Sequence, residues 1–189
     1  IFIHVPSCWS SLSIYVIMAI NGVISRVWRT KISEVRAMRC APIGAGFTIV
    51  TLATGAIWGK PMWGTWWVWD ARLTSVFVLF LMYLGLIALG RAMDDPTRAA
   101  KVSAILILVG FVNIPIIKFS VEWWNTLHQG SSVNLAKSSM ATVMLWGMLL
   151  CALACWMYAI AVALMRVRTI MLERERHTDW VRTELASKE

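Results

Sequence analysis

Five long apolar stretches determine the class of fold that this chain can adopt. They lie near residues 8–24, 41–58, 73–90, 99–117 and 140–165, and each approaches the ~20 residues that a helix needs to cross a ~30 Å hydrocarbon core. Hydrophobic residues make up 59% of the chain and charged residues 15%, too few to cover a water-soluble globule. The stretches lack the alternation of barrel strands, and lipid cannot satisfy the backbone of an open strand. We therefore predict an all-α, polytopic transmembrane helix bundle with five visible spans.

The basic residues predict which end of this bundle faces the cytoplasm. Fourteen of the 18 Lys and Arg residues fall in segments 26–40, 91–101 and 166–189. The other four, which lie on the opposite side, are Lys60, Arg72, Lys118 and Lys137. By the positive-inside rule the richer side faces the cytoplasm or its mitochondrial equivalent, so residues 1–165 form a transmembrane domain and residues 166–189 a charged cytoplasmic tail. The net charge of +8 thus indicates contact with membrane lipid and not with nucleic acid.

The side chains capable of specific chemistry concentrate on the predicted outer side. His4 precedes the first span, residues 58–72 join the second and third spans, and residues 118–137 join the fourth and fifth. These segments hold two of the three histidines and seven of the twelve tryptophans. The candidate binding residues are His4, Trp58, Trp63, Trp66, Trp67, Trp69, Asp70, Arg72, Trp123, Trp124 and His128.

The tryptophan-rich loop, residues 58–72, has more indoles than membrane anchoring requires. A single Trp at the end of a span is ordinarily part of the aromatic belt, but this loop contains five within twelve residues. If the loop is helical, Trp63, Trp66, Trp67 and Asp70 share one face. Such a surface suits a large, flat, apolar ligand, which gains both stacking and buried area.

The two outer histidines are candidate metal ligands, although a lone loop histidine is more often simply solvated. Neutral imidazoles on different loops can hold one metal ion between them. If that metal is haem iron, His4 and His128 lie on opposite sides of the macrocycle, and Arg72 is among the cations that can pair with its propionates. The third histidine, His177, lies in the tail, and we interpret it as solvated.

The interiors of the spans bear on function through the residues that they lack. No Asp, Glu, Lys, Arg or His lies at mid-depth in any of the five, whereas ion-coupled transporters usually place an ionisable residue there. Asn21 and Asn113 are the strongest polar groups, and we expect them to bridge helices. Small residues of the second span, among them Gly44 and Gly46, suit close helix packing.

Two other functional classes remain open besides haem binding. One is a transporter that conducts haem or another solute through the bilayer, which would need a polar pathway. The other is a membrane zinc metalloenzyme in which Asp70 or Glu122 joins the two histidines, although no His-Glu-x-x-His motif supports it.

Three blocks of the sequence resemble a known family of membrane proteins. They are His4-Val5-Pro6, residues 63–75 with the sequence WGTWWVWDARLTS, and residues 121–130 with the sequence VEWWNTLHQG. The tryptophan-rich block is a highly specific motif, and the order and spacing of the three blocks cover almost the whole chain. By these residues the chain resembles the haem exporter protein C (CcmC) family of cytochrome c maturation.

The resemblance implies a fold, a cofactor and partners. It implies six transmembrane helices, the first of which is expected to be missing here because the histidine matching His4 follows it. It implies that His4 and His128 hold haem b as axial ligands at the periplasmic face of a bacterial inner membrane or the mitochondrial equivalent, with the tryptophan loop against the porphyrin. The resemblance implies that a periplasmic haem chaperone, CcmE, receives the haem, and that CcmA, CcmB and CcmD then release the loaded chaperone. On this basis the chain is expected to be a binding and delivery protein and not an enzyme.

Overall fold

The computed structural model describes residues 1–128, 130 and 140–186, and within these ranges all regular structure is helical. The eight helices are α1 (His4–Trp28), α2 (Lys31–Arg39), α3 (Ala41–Trp63), α4 (Ala71–Ala92), α5 (Pro96–Gly110), α6 (Asn113–Trp123), α7 (Thr142–Arg174) and α8 (Asp179–Ala186). The prediction of an all-α fold is confirmed. Of the cations assigned above to one side or the other, Lys137 and Lys188 lie outside the described residues.

Five helical stretches of the described chain are long and apolar enough to cross a membrane, as predicted. They are His4–Trp28, Lys31–Trp63, Ala71–Ala92, Pro96–Trp123 and Thr142–Arg174. Two of them contain a break: α2 is separated from α3 at Cys40, and α5 is separated from α6 at Phe111 and Val112. The chain is therefore a multi-pass membrane protein built as a helical bundle.

The second span ends later than the sequence indicates. The sequence predicts that this span ends near residue 58, just before Gly59-Lys60-Pro61, but α3 continues through Pro61 to Trp63. Pro61 removes the backbone donor for the Ile57 carbonyl, but it lies in the last turn of α3, so only that turn is affected. The helix ends at Gly64, whose φ of 77° is left-handed and whose N–H donates to the Lys60 carbonyl at 3.0 Å.

The fourth span is two helices instead of one continuous helix. Pro115 has no N–H to donate to the Phe111 carbonyl, and its ring would clash with that oxygen in a regular helix. The Phe111 carbonyl instead accepts from the Ile114 N–H at 3.0 Å, a tighter turn than the α-helical one. The expected single span over residues 99–117 therefore becomes α5 and α6, which together reach Trp123.

The first and last spans are also longer than expected. His4 does not precede the first span but is the first residue of α1. At the other end of the chain, α7 continues to Arg174, nine residues into the segment assigned to the tail, and α8 follows as a separate short helix. The division into a transmembrane domain and a cytoplasmic tail stays a prediction.

The core lies between α1, α3 and α4 and depends on small residues of α3. The Tyr83 ring lies directly against Gly44, and its hydroxyl donates to the Ser11 carbonyl at 2.7 Å. Ser11 also bonds through its side chain to the Thr48 hydroxyl, at 2.6 Å, in a buried contact. The Tyr15 and Tyr83 rings meet edge to face at 5.4 Å. These polar groups are thus paired across helices, as an apolar surrounding favours, whereas the buried hydroxyls of Ser10 and Ser103 have no hydrogen-bond partner among the described residues.

The fold separates two chemically different ends. We call the end formed by His4, residues 58–72 and residues 122–128 the histidine end, and the end formed by residues 26–40, 91–95 and 166–176 the arginine end. The basic segments meet at the latter, where Arg39, Arg91 and Arg166 line one small pocket and Lys31 pairs with Glu175 at 3.5 Å. The charge segregation read from the sequence is therefore present in three dimensions.

Candidate functional site

The middle of the tryptophan loop is not helical, because Gly64 ends α3 and Asp70 begins α4. Residues 64–70 between them are irregular, so the single helical face proposed for Trp63, Trp66, Trp67 and Asp70 does not form. Trp63 still belongs to α3, whereas Trp66 and Trp67 follow the turn at Gly64. The loop therefore spreads its indoles over the histidine end instead of aligning them.

Asp70 uses both carboxylate oxygens and connects two parts of the histidine end. Its Oδ1 accepts from the Leu73 backbone N–H at 2.7 Å and so caps the N-terminus of α4. Its Oδ2 lies 3.0 Å from Nδ1 of His128, 58 residues away in sequence. Because an ionised carboxylate only accepts hydrogen bonds, Nδ1 of His128 carries the proton and Nε2 keeps its lone pair free.

His128 is held as a neutral, partly buried imidazole. Its ring meets the Trp63 ring edge to face, with centroids 4.9 Å apart. Burial lowers the pKa of His128 below its ordinary value, and the hydrogen bond and charge of Asp70 only partly offset that effect. At neutral pH the side chain is therefore uncharged, which is the state in which histidine binds metals.

His4 is oriented in a similar way, but by a hydroxyl group. Its Nδ1 lies 3.0 Å from Oγ1 of Thr54 in α3. The Thr54 hydroxyl donates its own hydrogen to the Val50 carbonyl at 2.6 Å, so it accepts from Nδ1–H of His4 and leaves Nε2 with the lone pair. Sequence reasoning missed Thr54, because a threonine inside an apolar helix gives no signal of a partner 50 residues away.

The two histidines share the histidine end with one arginine. The Arg72 charge reaches both imidazoles, and a charge on His128 would also reach His4. The Arg72 guanidinium also donates to the Ile117 carbonyl in α6 at 3.5 Å, which links the start of α4 to this part of the fourth span. The fold thus brings together two ligand-type side chains and a cation from three separate segments of the sequence.

The tryptophans form two groups at this end. Trp58 and Trp63 meet edge to face at 5.6 Å, and Trp67 meets Trp69 at 5.4 Å and Phe77 at 5.9 Å. Trp66 is 57% exposed, and it makes no ring contact with the described residues.

Trp123 and Trp124 form the second group, in which the Phe119 ring stacks on Trp123 at 5.4 Å. Both tryptophans are about half exposed. Within the described part of the chain no ring contact joins them to the tryptophan loop. A shared ligand surface for the two groups therefore stays a prediction.

The donor set fits haem better than it fits zinc. Haem iron is already bound by four porphyrin nitrogens and needs only one or two axial ligands from the protein, whereas zinc binds three or four protein side chains. Among the described residues no group of three or more His, Cys, Asp or Glu side chains could hold a metal ion. In addition, Nε1 of Trp67, also at the histidine end, is buried without a hydrogen-bond partner among the described residues, although most buried donors have one.

The family model and two curated relatives that match this chain have the same description. The family model described as Heme exporter protein C matches residues 1–182. Heme exporter protein C of Bradyrhizobium diazoefficiens is 52% identical over 174 residues, which cover 92% of this chain and 66% of the relative. The protein of the same name from Escherichia coli K12 is 47% identical over 186 residues, with 96% and 73% covered.

A mitochondrial relative matches as well. The "putative cytochrome c biosynthesis ccmC-like mitochondrial protein" of Marchantia polymorpha is 50% identical over 145 residues, 77% of this chain and 61% of the relative. The chain thus spans roughly two thirds of the length of these curated relatives.

Proposed function

The chain belongs to the Heme exporter protein C family, and from that membership and the geometry of the histidine end we propose that it binds haem there during cytochrome c maturation. His4 and His128 are the axial ligands of the iron, and the haem is of the b type, without a covalent bond to this chain. The chain has no Cys-x-x-Cys-His sequence, which covalent c-type attachment would require.

The observation that carries this proposal is the pairing of both imidazoles through Nδ1. Asp70 and Thr54 each accept the Nδ1 proton of one histidine, so both rings present the Nε2 lone pair that a metal needs. Metal-binding histidines ordinarily have such a partner on their second nitrogen, which fixes the ring and its tautomer. Solvated histidines, by contrast, need no such support.

The other residues of the site bind and orient the macrocycle. The half-buried indoles of the tryptophan loop, Trp63 and Trp67, offer flat apolar area against the porphyrin, and the Arg72 guanidinium offers a cation for a propionate. When bound, haem supplies the iron whose axial positions can be exchanged between donors. We assign the protein a positioning function and no chemical step of its own, since bond formation belongs to the cofactor and the acceptor.

The orientation and the partners follow from the same proposal. The arginine end faces the cytoplasm by the positive-inside rule, so the histidine end faces the periplasm of a bacterium or the equivalent mitochondrial space. Exposed Trp66 and Trp69 then form a surface on which a CcmE-type haem chaperone docks and takes the haem. CcmA, CcmB and the helper CcmD act next, by releasing the loaded chaperone.

Visible absorption of the purified, detergent-solubilised protein tests haem binding at this site. We expect the parent chain to carry a Soret band and the double variant His4→Ala, His128→Ala to lose it. The matched control is His177→Ala, because His177 lies at the arginine end and is exposed; it should keep the parent's haem content. Haem content equal to the parent's in the double variant would refute the ligand assignment.

Transfer to the chaperone needs a separate test. We expect Trp66→Ala to keep the Soret band, since this side chain is exposed, but to slow transfer of haem to a purified CcmE-type chaperone. Trp146→Ala removes an indole that is also exposed (63%) but lies on α7, so it should leave transfer unchanged. Equal transfer rates for the two variants would contradict docking at the tryptophan loop.

A further inference from the structure

We propose that the two histidines are unequal ligands: His128 is the strong ligand that stays on the iron, and His4 is the weaker ligand that is replaced when haem leaves. The inference rests on the proposed haem site and concerns the order of events within it. It follows from the different groups that hold the two rings.

The partner of His128 is an anion. Its Nδ1–H donates at 3.0 Å to Oδ2 of Asp70, a carboxylate that is only 9% exposed. A hydrogen bond to an ionised acceptor is stronger than one to a neutral acceptor, and it moves electron density through the ring toward Nε2. A carboxylate on the second nitrogen therefore makes an imidazole a more basic metal ligand.

The partner of His4 is a neutral hydroxyl. Oγ1 of Thr54 accepts from Nδ1 at a similar distance, 3.0 Å, but it has no charge. His4 is also the first residue of α1, at the positive end of the helix dipole. The hydroxyl raises the electron density at Nε2 less than a carboxylate does, and the helix dipole lowers it, so Nε2 of His4 is the poorer donor although the two rings are oriented alike.

The contacts around the two rings also hold His128 more firmly than His4. Asp70 is itself held by its bond to the Leu73 backbone N–H, and the His128 ring packs against Trp63. His4 makes no ring contact with the described aromatic residues. Its support is the Thr54 hydroxyl, the Thr51 backbone and the surface of α3 around Gly55, all of which are uncharged. Moving His4 away from the iron therefore breaks no hydrogen bond to a carboxylate and no contact with a described aromatic ring.

The exchange itself is a simple ligand substitution. The coordinate bond from Nε2 of His4 breaks, and its electron pair returns to the ring nitrogen. An electron-pair donor on the acceptor protein occupies the vacated axial position. No electron or proton is lost in this step, so it needs no oxidant or reductant.

Carbon monoxide binding to the reduced, haem-loaded full chain tests which ligand leaves, because CO replaces the weaker axial ligand. We expect Asp70→Asn to shift the iron–carbon and C–O stretching frequencies, since His128 stays opposite the CO. Thr54→Val should leave both frequencies at their parent values, because His4 has left the iron. A shift with Thr54→Val and none with Asp70→Asn would overturn the proposal, as would the absence of a shift in both.

The matched control for Asp70→Asn is Asp95→Asn. Asp95 caps α5 in the same way, by accepting from the Thr97 N–H at 2.8 Å, but the described residues give it no histidine partner. This control separates the loss of a helix cap from the loss of charge beside an imidazole. We also expect Asp70→Asn to weaken haem binding by ~10–100-fold, the usual effect of removing such a partner, and Thr54→Val to weaken it less.

Cavity variants provide a second measurement that does not depend on Asp70. His4→Gly should keep haem and regain a six-coordinate spectrum on addition of imidazole, whereas His128→Gly should lose haem on purification. Retention of haem by His128→Gly and its loss by His4→Gly would contradict the proposed order. A parent protein without a Soret band would instead refute haem binding itself, so the two failures are distinguishable.

Discussion

At the scale of single residues, the site depends on side chains that each make more than one bond. Asp70 caps α4 with one oxygen and holds His128 with the other, and Thr54 donates to its own helix while it accepts from His4. The capping function of Asp70 was readable in principle, because Asp just before an apolar helical run is an N-cap signal. Its second bond was not, because nothing local indicates which histidine it meets.

The buried indole N–H of Trp67 leads to a testable prediction about haem affinity. Its buried Nε1–H has no acceptor among the described residues, and leaving such a donor unpaired costs about 1–3 kcal/mol. If bound haem accepts this hydrogen bond, Trp67→Phe should weaken haem affinity and, in the haem-free protein, preserve or raise the unfolding temperature. Trp66→Phe, at an exposed position, serves as the control in haem titrations and thermal unfolding. An unchanged haem affinity for Trp67→Phe would show that its N–H does not face the ligand.

At the scale of helices, backbone contacts decide the packing. Small residues in the second span were expected to allow close approach, and this is so for Gly44, which lies under the Tyr83 ring, but not for Gly46, which has open space around it. Asn113 bridges helices as expected, by donating to the Ser75 carbonyl at 2.9 Å. Asn21 does not, since its amide donates to the Ile17 carbonyl of its own helix.

Gly44 and Gly46 form a matched pair for testing the packing. A Cβ at position 44 would overlap the Tyr83 ring, so we expect Gly44→Ala to destabilise the bundle by about 1–3 kcal/mol, as overpacking usually does. Gly46→Ala should be neutral or slightly stabilising, because Ala favours the helix by about 1 kcal/mol. Thermal unfolding in detergent measures both, and equal unfolding temperatures would argue against the α3–α4 contact described here.

Asn113 and Asn21 form a second pair. Asn113→Ala removes a bond between α6 and α4 and should lower stability by roughly 1 kcal/mol, the range found for polar contacts between membrane helices. Asn21→Ala removes only a bond within α1 and should change stability less. Chemical or thermal unfolding of the two variants in one detergent gives the comparison; a larger loss for Asn21→Ala would reverse this assignment.

At the scale of the whole molecule, the separation of the two ends is the property that permits function on one side of a membrane. No ionisable side chain lies at mid-depth in the five spans, and most of the basic residues lie at the arginine end. The end with fewer cations then carries both paired histidines and the tryptophan loop. A ligand held there is accessible from one aqueous side only.

Cysteine labelling tests this orientation. Met62 and Asp94 are both exposed and lie at opposite ends of the bundle. In intact bacterial spheroplasts a membrane-impermeant maleimide should label Met62→Cys, whereas Asp94→Cys should react only after the membrane is permeabilised. The parent chain, whose four cysteines are half-buried or buried, controls for background labelling. Labelling of Asp94→Cys in intact spheroplasts, without labelling of Met62→Cys, would invert the proposed topology.

Hydropathy and charge, summed over local stretches of the chain, were sufficient to predict the all-helical class, the five spans and the separation of basic residues from histidines. Local sequence could not locate the end of α3 at Trp63 or the break before Asn113, where a proline's effect depends on how the freed carbonyl is satisfied. The contacts of His4 with Thr54 and of His128 with Asp70 became known only from the packing of the helices. These bonds join residues 50 and 58 positions apart, and helix packing, not local sequence, sets such distances.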